Sequence, residues 1–163
     1  MNLDPLSLEA LTTAINKAFT SMAQNSQSRT TIVLDGLDLL LASHSDASTL
    51  EVQQLLLGLQ TRAQSVIVTC AADSALLHNT DASATPLEID HSNLVRTLAH
   101  EAQLVFQLRP LETGQSKEVT GSVRISKGGA WEAEECSTEL RDGEWLYHLN
   151  GSGTVKVWGR GEA

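Results

Sequence analysis

A run of β-prone apolar residues that ends in a carboxylate constrains the fold of this chain more than any other feature. The run is Ile32-Val33-Leu34-Asp35, inside the longer apolar stretch 30–41. A strand of this kind delivers its acid to the carboxyl edge of a parallel sheet, as a Walker B element does for nucleotide-bound Mg²⁺. None of the 11 glycines lies in a G-x-x-x-x-G-K-[ST] loop, whose backbone amides and lysine hold phosphates. The pattern therefore predicts a nucleotide-binding scaffold without its phosphate-binding front end.

Hydrophobic periodicity and capping residues predict the helices and strands. Asp4 is the expected N-cap of the first helix, and Ser48 and Glu51 form a capping box at the start of another, whose core face is Leu50, Leu55, Leu56 and Leu59. Residues 73–91 are predicted to form a long polar loop. The predicted helices are 4–23, 48–63 and 92–102, with a short helical or turn segment at 37–42. The predicted strands are 30–35, 65–71, 103–108, 119–126, 145–149 and 154–158.

The order of the first elements predicts an α/β fold. Helix and strand alternate through residue 108, which favours a parallel sheet with right-handed crossovers, covered on both faces. The segment 150–153, Asn-Gly-Ser-Gly, then predicts a hairpin in an antiparallel extension. We expect one domain over residues 1–163, with a leading helix and linker (1–29), an α/β core (30–110) and a β extension (111–163).

Charge and residue spacing limit the chemistry that this chain can perform. The net charge of −9 argues against nucleic-acid binding by the chain alone, because phosphate contacts need Lys and Arg. Lys117, Arg124 and Lys127 are the cations best placed to meet phosphate, and solubilising charge on an exposed strand is their alternative role. Without a phosphate loop, Asp35 is expected to be structural and bonded to nearby backbone N–H groups.

No cofactor or metal site is predicted. The five histidines and two cysteines, Cys70 and Cys136, show no metal-ligand spacing. The cysteines are far apart, which indicates a reducing, intracellular compartment and no disulfide framework. No apolar run approaches the roughly 18–20 residues needed to span a bilayer.

Several fragments, in the same order, resemble the Elongator complex protein 6 family, the sixth subunit of Elongator. The resemblance covers roughly residues 30–163, including the closing strand 155–161. The matching fragments are 32–42 (IVLDGLDLLLA), 72–77 (ADSALL), 86–88 with His91 (PLE…H), 98–102 (LAHEA), 108–114 (LRPLETG) and 119–129 (VTGSVRISKGG).

The resemblance implies a RecA-like fold that lacks ATPase motifs. It implies a non-catalytic subunit of a hetero-hexameric ring built with two sister RecA-like subunits, numbers four and five. That ring binds tRNA and docks on the catalytic part of Elongator, which modifies the wobble uridine of tRNA anticodons in the cytoplasm and nucleus. The chemistry belongs to another subunit, so no catalytic residue carries over to this sequence.

Two departures from the family pattern are present. The family begins with a strand, a loop and a helix, on the order of 80–100 residues by comparison with a full domain. We therefore expect an N-terminal truncation here, which an expressed fragment, an incomplete gene model or natural loss would explain. Glu118 also stands where the family commonly has Asp.

Two other functions remain open at the level of sequence. The chain is alternatively a degenerate RecA-like ATPase subunit that completes a composite nucleotide site with a neighbouring chain. It is otherwise a solitary regulatory binding module, if it has no partner.

Overall fold

The computed structural model describes residues 8–22, 29–43, 48–73, 77, 84–111, 118–132 and 142–159. The chain divides into two compact units, Met1–Arg96 and Thr97–Ala163. The helices are α1 (Leu8–Met22), α2 (Leu39–Ser43), α3 (Thr49–Gln60) and α4 (Pro86–Glu101). The strands are β1 (Thr31–Leu34), β2 (Ser65–Val68), β3 (Leu104–Pro110), β4 (Gly121–Lys127), β5 (Gly143–Leu149) and β6 (Val155–Gly159). The predicted N-cap Asp4 lies outside the described residues.

The predicted capping box opens α3. The Glu51 N–H donates to Ser48 Oγ at 3.3 Å, and the Ser48 N–H donates to Glu51 Oε2 at 3.0 Å. The predicted core face of this helix is partly wrong, since Leu50 is exposed and Val52 is buried together with Leu56 and Leu59. The spacing of the buried residues, i, i+4 and i+7, defines one side of the helix, and Leu50 falls outside that stripe.

The first unit contains the predicted parallel pair of strands. β1 and β2 pair in parallel, with Leu34 opposite Val68 and Val33 opposite Ile67. Leu34 is buried, whereas Val33 and Ile67 are 61% and 50% exposed on the other face. The expectation of a sheet covered on both faces is therefore wrong for this face. Within the described residues of the first unit, the two-stranded sheet buries the side that carries Leu34 and exposes the side that carries Val33 and Ile67.

The predicted polar loop 73–91 is wrong over its last residues, because α4 begins at Pro86. Glu88 Oε2 accepts the N–H of Thr85 at 2.7 Å, and the Glu88 N–H donates to Thr85 Oγ1 at 3.4 Å. This is a second capping box, with proline at the first helical position, where its missing N–H leaves no helical hydrogen bond unmade. The sequence Thr-Pro-Leu-Glu carries that signal, although the sequence-based prediction missed it.

The second unit contains a four-stranded antiparallel sheet in the order β3-β4-β5-β6. The predicted third parallel strand is wrong, because β3 pairs antiparallel with β4 over seven residue pairs, from Leu104–Lys127 to Pro110–Gly121. Pairing with the next strand along the chain satisfies the whole length of β3 and needs no crossover. The fold is therefore mixed α/β, with a small parallel sheet and an antiparallel sheet.

The predicted hairpin between β5 and β6 is confirmed. The Gly153 N–H donates to the Asn150 carbonyl at 2.8 Å, and the Asn150 N–H donates to the Thr154 carbonyl at 2.9 Å. Gly153 has a φ of +82°, a conformation that favours glycine at the end of the turn. Within the described residues, no helix is long and apolar enough to cross a membrane.

Candidate functional site

The carboxyl ends of β1 and β2 are joined by the side chains of Asp35 and Thr69. Each of these residues directly follows its strand, so the parallel register brings them to the same edge. The Thr69 hydroxyl donates to Asp35 Oδ1 and accepts the Gly36 N–H at 2.9 Å. The Thr69 N–H and carbonyl bond to Leu34 and Leu37, at 2.9 and 3.0 Å. Thr69 therefore ties the two strand ends together through both its backbone and its side chain.

The Asp35 carboxylate was expected to accept hydrogen bonds from backbone N–H groups, and its donor in the structure is a side chain instead. The hydrogen bond to its carboxylate comes from the Thr69 hydroxyl, and Asp35 is exposed at the sheet edge. Gly36 follows with a φ of +67°, which turns the chain away from the strand. Chemically, the carboxylate accepts a neutral hydrogen bond and also faces solvent.

Asp38, Cys70 and His91 form a second group near this edge. Asp38 Oδ2 lies 3.8 Å from His91 Nε2, too far for a hydrogen bond. His91 is only 8% exposed, and neither of its ring nitrogens has a hydrogen-bond partner among the described residues. Within the described residues, this arrangement therefore gives the His91 ring no hydrogen bond that fixes its orientation.

Cys70 does not have the properties of a nucleophile. Burial raises the pKa of its thiol, and the nearby Asp38 carboxylate raises it further. The thiolate is the reactive form, so Cys70 remains a neutral, half-buried thiol near pH 7. In the part of the chain that the structure describes, no group of three or more His, Cys, Asp or Glu side chains is arranged to hold a metal ion.

The structure does not bring the predicted phosphate-contacting residues together. Lys117 lies outside the described residues, and Arg124 and Lys127 are both exposed on β4. Because they are three residues apart in one strand, they lie on opposite faces of the sheet. The Lys127 ammonium lies 5.5 Å from the centroid of the Trp131 ring, whereas Arg124 lies between Gln107 and Glu144 in register.

Sequence reasoning missed the apolar face of the antiparallel sheet. Leu104, Phe106 and Leu108 alternate along β3 with Val105, Gln107 and Arg109, and all three are exposed. This alternation is typical of a strand with two different faces. The signal was present in the sequence, but β3 was assigned to a buried parallel sheet.

Comparison with known sequences identifies the family. Residues 1–146 match the family described as Elongation complex protein 6. The chain belongs to that family. This membership confirms the resemblance carried by the sequence fragments.

Two relatives of the family show the extent of the match. The chain is 26% identical over 144 residues to Elongator complex protein 6 of Saccharomyces cerevisiae, covering 87% of this chain and 52% of the yeast protein. It is 28% identical over 134 residues to the Elongator complex protein 6 homolog of Schizosaccharomyces pombe, covering 81% and 48%. The chain therefore spans about half the length of these Elongation complex protein 6 relatives.

Proposed function

We propose that this chain is a non-catalytic subunit of Elongator. In this role it joins the two sister RecA-like subunits, four and five, in a hetero-hexameric ring. The ring binds tRNA and supports wobble-uridine modification by the catalytic subcomplex, in the cytoplasm and nucleus. The family match over residues 1–146 is the observation that carries the proposal.

Two features of the molecule support an assembly role over catalysis. The sequence has no phosphate-binding loop that would place a nucleotide near Asp35. The Asp35 carboxylate accepts a hydrogen bond from the Thr69 hydroxyl, and this bond joins the ends of two strands. The parallel pairing of β1 and β2, with an acid at their carboxyl edge, supports the RecA-like fold that this proposal includes.

Affinity purification tests the proposal directly. The tagged chain is expressed in its own host at its natural level, and the captured proteins are quantified by mass spectrometry. We expect the two sister subunits in equal amounts with the chain, together with the catalytic subunit and tRNA. Recovery of the chain without any other Elongator subunit would contradict the proposal.

A second candidate function rests on the exposure of Asp35 at the sheet edge. A neighbouring chain that carries a phosphate loop would complete a composite nucleotide site there. Nucleotide titration of the assembled complex tests this idea with the variant Asp35→Ala. Thr69→Val is the matched control, since it removes the hydrogen bond to Asp35 and keeps the carboxylate.

The two variants separate the two functions. Loss of nucleotide affinity in Asp35→Ala alone would support the composite site. Unchanged affinity in both variants would support the non-catalytic subunit.

A further inference from the structure

The hairpin between β5 and β6 carries the dipeptide Asn150-Gly151 in its turn. Of the six asparagines in the chain, Asn150 is the one that a glycine follows. Asparagine is a thermolabile residue, because the backbone nitrogen of the next residue can attack its side-chain amide. Glycine hinders that attack least, since it has no Cβ and its backbone is the most permissive. The sequence of this turn therefore pairs a reactive amide with an unhindered nucleophile.

The structure leaves both reacting groups free. Asn150 and Gly151 are exposed. Within the described residues, neither the Gly151 N–H nor the Asn150 side-chain amide makes a hydrogen bond. An N–H group without a protein partner at an exposed turn is left to water. A Cβ built on Gly151 would meet no atom within 4 Å, so there is also room around the attacking nitrogen.

The two other asparagines of the described residues are protected. Asn16 lies in α1 and Asn93 lies in α4, where helical hydrogen bonds occupy the N–H of the following residue. The Asn16 side chain is also engaged, because its Oδ1 accepts a hydrogen bond from Arg62 at 2.6 Å. Asn93 is followed by the fully buried Leu94. These two residues therefore serve as internal references for Asn150.

The dipeptide Asp35-Gly36 shows that a following glycine is not sufficient. Aspartate before glycine reaches the same cyclic intermediate from its carboxyl group. Here, however, the Gly36 N–H donates to the Thr69 hydroxyl at 2.9 Å, and the Asp35 carboxylate accepts a hydrogen bond from the same hydroxyl. Both reacting groups are occupied. Free hydrogen-bonding groups, and not the glycine alone, distinguish Asn150.

We propose that Asn150 is a site of spontaneous deamidation. The Gly151 nitrogen gives up its proton to hydroxide and attacks Cγ of Asn150. The N–Cγ bond forms, the Cγ–Nδ2 bond breaks and ammonia leaves, which produces a succinimide ring. Water then opens the ring at either of its two carbonyl carbons, giving aspartate or isoaspartate. The net reaction consumes one water and releases one ammonia, and the attack is favoured because both groups belong to adjacent residues.

The isoaspartate product changes the turn itself. Its main chain passes through Cβ and Cγ of residue 150 and is one carbon longer. The former backbone carbonyl of Asn150, which accepts the Gly153 N–H at 2.8 Å, becomes a free carboxylate outside the main chain. The aspartate product keeps the original backbone. Both products add a negative charge, but only isoaspartate loosens the connection between β5 and β6.

Incubation of the purified full chain in water enriched in the heavy oxygen isotope, at mildly alkaline pH, tests the proposal. Peptide mass spectrometry with electron-transfer fragmentation locates each new carboxylate and distinguishes aspartate from isoaspartate. We expect residue 150 to acquire one heavy oxygen and to become a mixture of both products. We expect this reaction to be at least about tenfold faster than the reaction at Asn16 or Asn93.

Gly151→Ala is the matched variant. Gly151 does not have a positive φ and a Cβ there is unobstructed, so alanine fits the folded turn. We expect the deamidation of Asn150 to be about fivefold or more slower in this variant, because the Cβ hinders the attacking nitrogen. Circular dichroism checks that the variant is folded, and Asn150→Gln, which needs a larger ring, repeats the test if it is not.

Hydrogen exchange tests the structural consequence. We expect the Gly153 amide to exchange about fivefold faster in the isoaspartate form than in the fresh chain. Asn150→Asp is the control, since it adds the charge without lengthening the backbone, and its Gly153 amide is expected to exchange at the rate of the fresh chain. Equal exchange in the isoaspartate form and in Asn150→Asp would show that the turn tolerates the longer backbone.

Three results would overturn the proposal. They are equal rates at the three asparagines, an unchanged rate in folded Gly151→Ala, and aspartate at residue 150 without any isoaspartate, which would indicate direct hydrolysis. None of these measurements involves an Elongator subunit. The deamidation site and the proposed function therefore stand or fail separately.

Discussion

The Thr69 hydroxyl donates a hydrogen bond to the Asp35 carboxylate across the carboxyl ends of two parallel strands. The same hydroxyl oxygen accepts the N–H of Gly36, the residue that turns the chain away from β1. In an ATPase, the acid at the end of this strand would face the metal ion bound to the nucleotide. Here its carboxylate is hydrogen-bonded to the residue that follows the neighbouring strand. The Asp35 carboxylate and the Gly36 N–H therefore meet at one hydroxyl, which links the turn after β1 to the end of β2.

Replacing Thr69 tests this connection. Thr69→Val removes both side-chain hydrogen bonds, whereas Thr69→Ser keeps the hydroxyl. We expect the Gly36 amide to exchange with solvent about five- to tenfold faster in Thr69→Val, the equivalent of roughly 1 kcal/mol of local stability. Backbone hydrogen exchange is the appropriate measurement, because all three tryptophans lie in the second unit. Equal exchange rates in the two variants would contradict the role of the hydroxyl.

Local signals were sufficient to predict part of this structure. The capping box of Ser48 and Glu51 was predicted because it depends on residues three positions apart. The parallel pairing of β1 with β2 followed from two short strands separated by a helix. The hairpin at 150–153 followed from its two glycines.

Non-local pairing could not be predicted in the same way. The residues of β3 form a strand whichever neighbour they pair with, so its sequence did not distinguish β2 from β4. The position of Arg124 and Lys127 on opposite faces depends on their being in one continuous strand, which the sequence did indicate. Their separation was missed because charge, and not strand parity, was used to group them.

The turn after β4 is expected to require glycine at position 128. The Gly128 N–H donates to the Gln103 carbonyl at 2.9 Å, and a Cβ on Gly128 would lie 2.0 Å from the carbonyl oxygen of Ala102. Gly128→Ala must therefore displace backbone, and we expect a loss of about 2 kcal/mol or more in the free energy of unfolding. Urea unfolding followed by tryptophan fluorescence measures this loss.

Gly151→Ala is the control for that prediction. A Cβ at Gly151 meets no atom within 4 Å. We expect its free energy of unfolding to remain within about 0.5 kcal/mol of the wild type. Equal stability of the two alanine variants would show that the turn after β4 can adjust.

The thiol of Cys70 is expected to react slowly with alkylating reagents because burial and the Asp38 carboxylate raise its pKa. In a Cys136→Ser background, Asp38→Asn removes the nearby negative charge and lowers that pKa. We expect iodoacetamide to modify the variant about two- to fivefold faster at pH 8.5, since the thiolate is the reactive form. An unchanged alkylation rate would show that the Asp38 carboxylate does not raise the pKa of the Cys70 thiol.

The same pKa shift predicts the pH dependence of stability. A raised pKa means that the fold favours the neutral thiol over the thiolate. The stability contributed by Cys70 is therefore complete below the ordinary thiol pKa and is lost as the pH rises through the higher value of the folded state. Urea unfolding followed by circular dichroism is expected to show a smaller loss of stability at alkaline pH in Cys70→Ala than in the parent.

If the assembled complex binds tRNA as proposed, only one of Arg124 and Lys127 is expected to contribute to that binding. They lie on opposite faces of β4, so one tRNA approaching the sheet meets one of them. We expect Arg124→Gln or Lys127→Gln, but not both, to weaken binding and reduce the slope of log affinity against log salt by about 1. Filter binding at several salt concentrations measures the slope. A reduction of about 1 in each single variant would contradict the prediction that tRNA contacts one face only, and would indicate that it reaches both faces of the sheet.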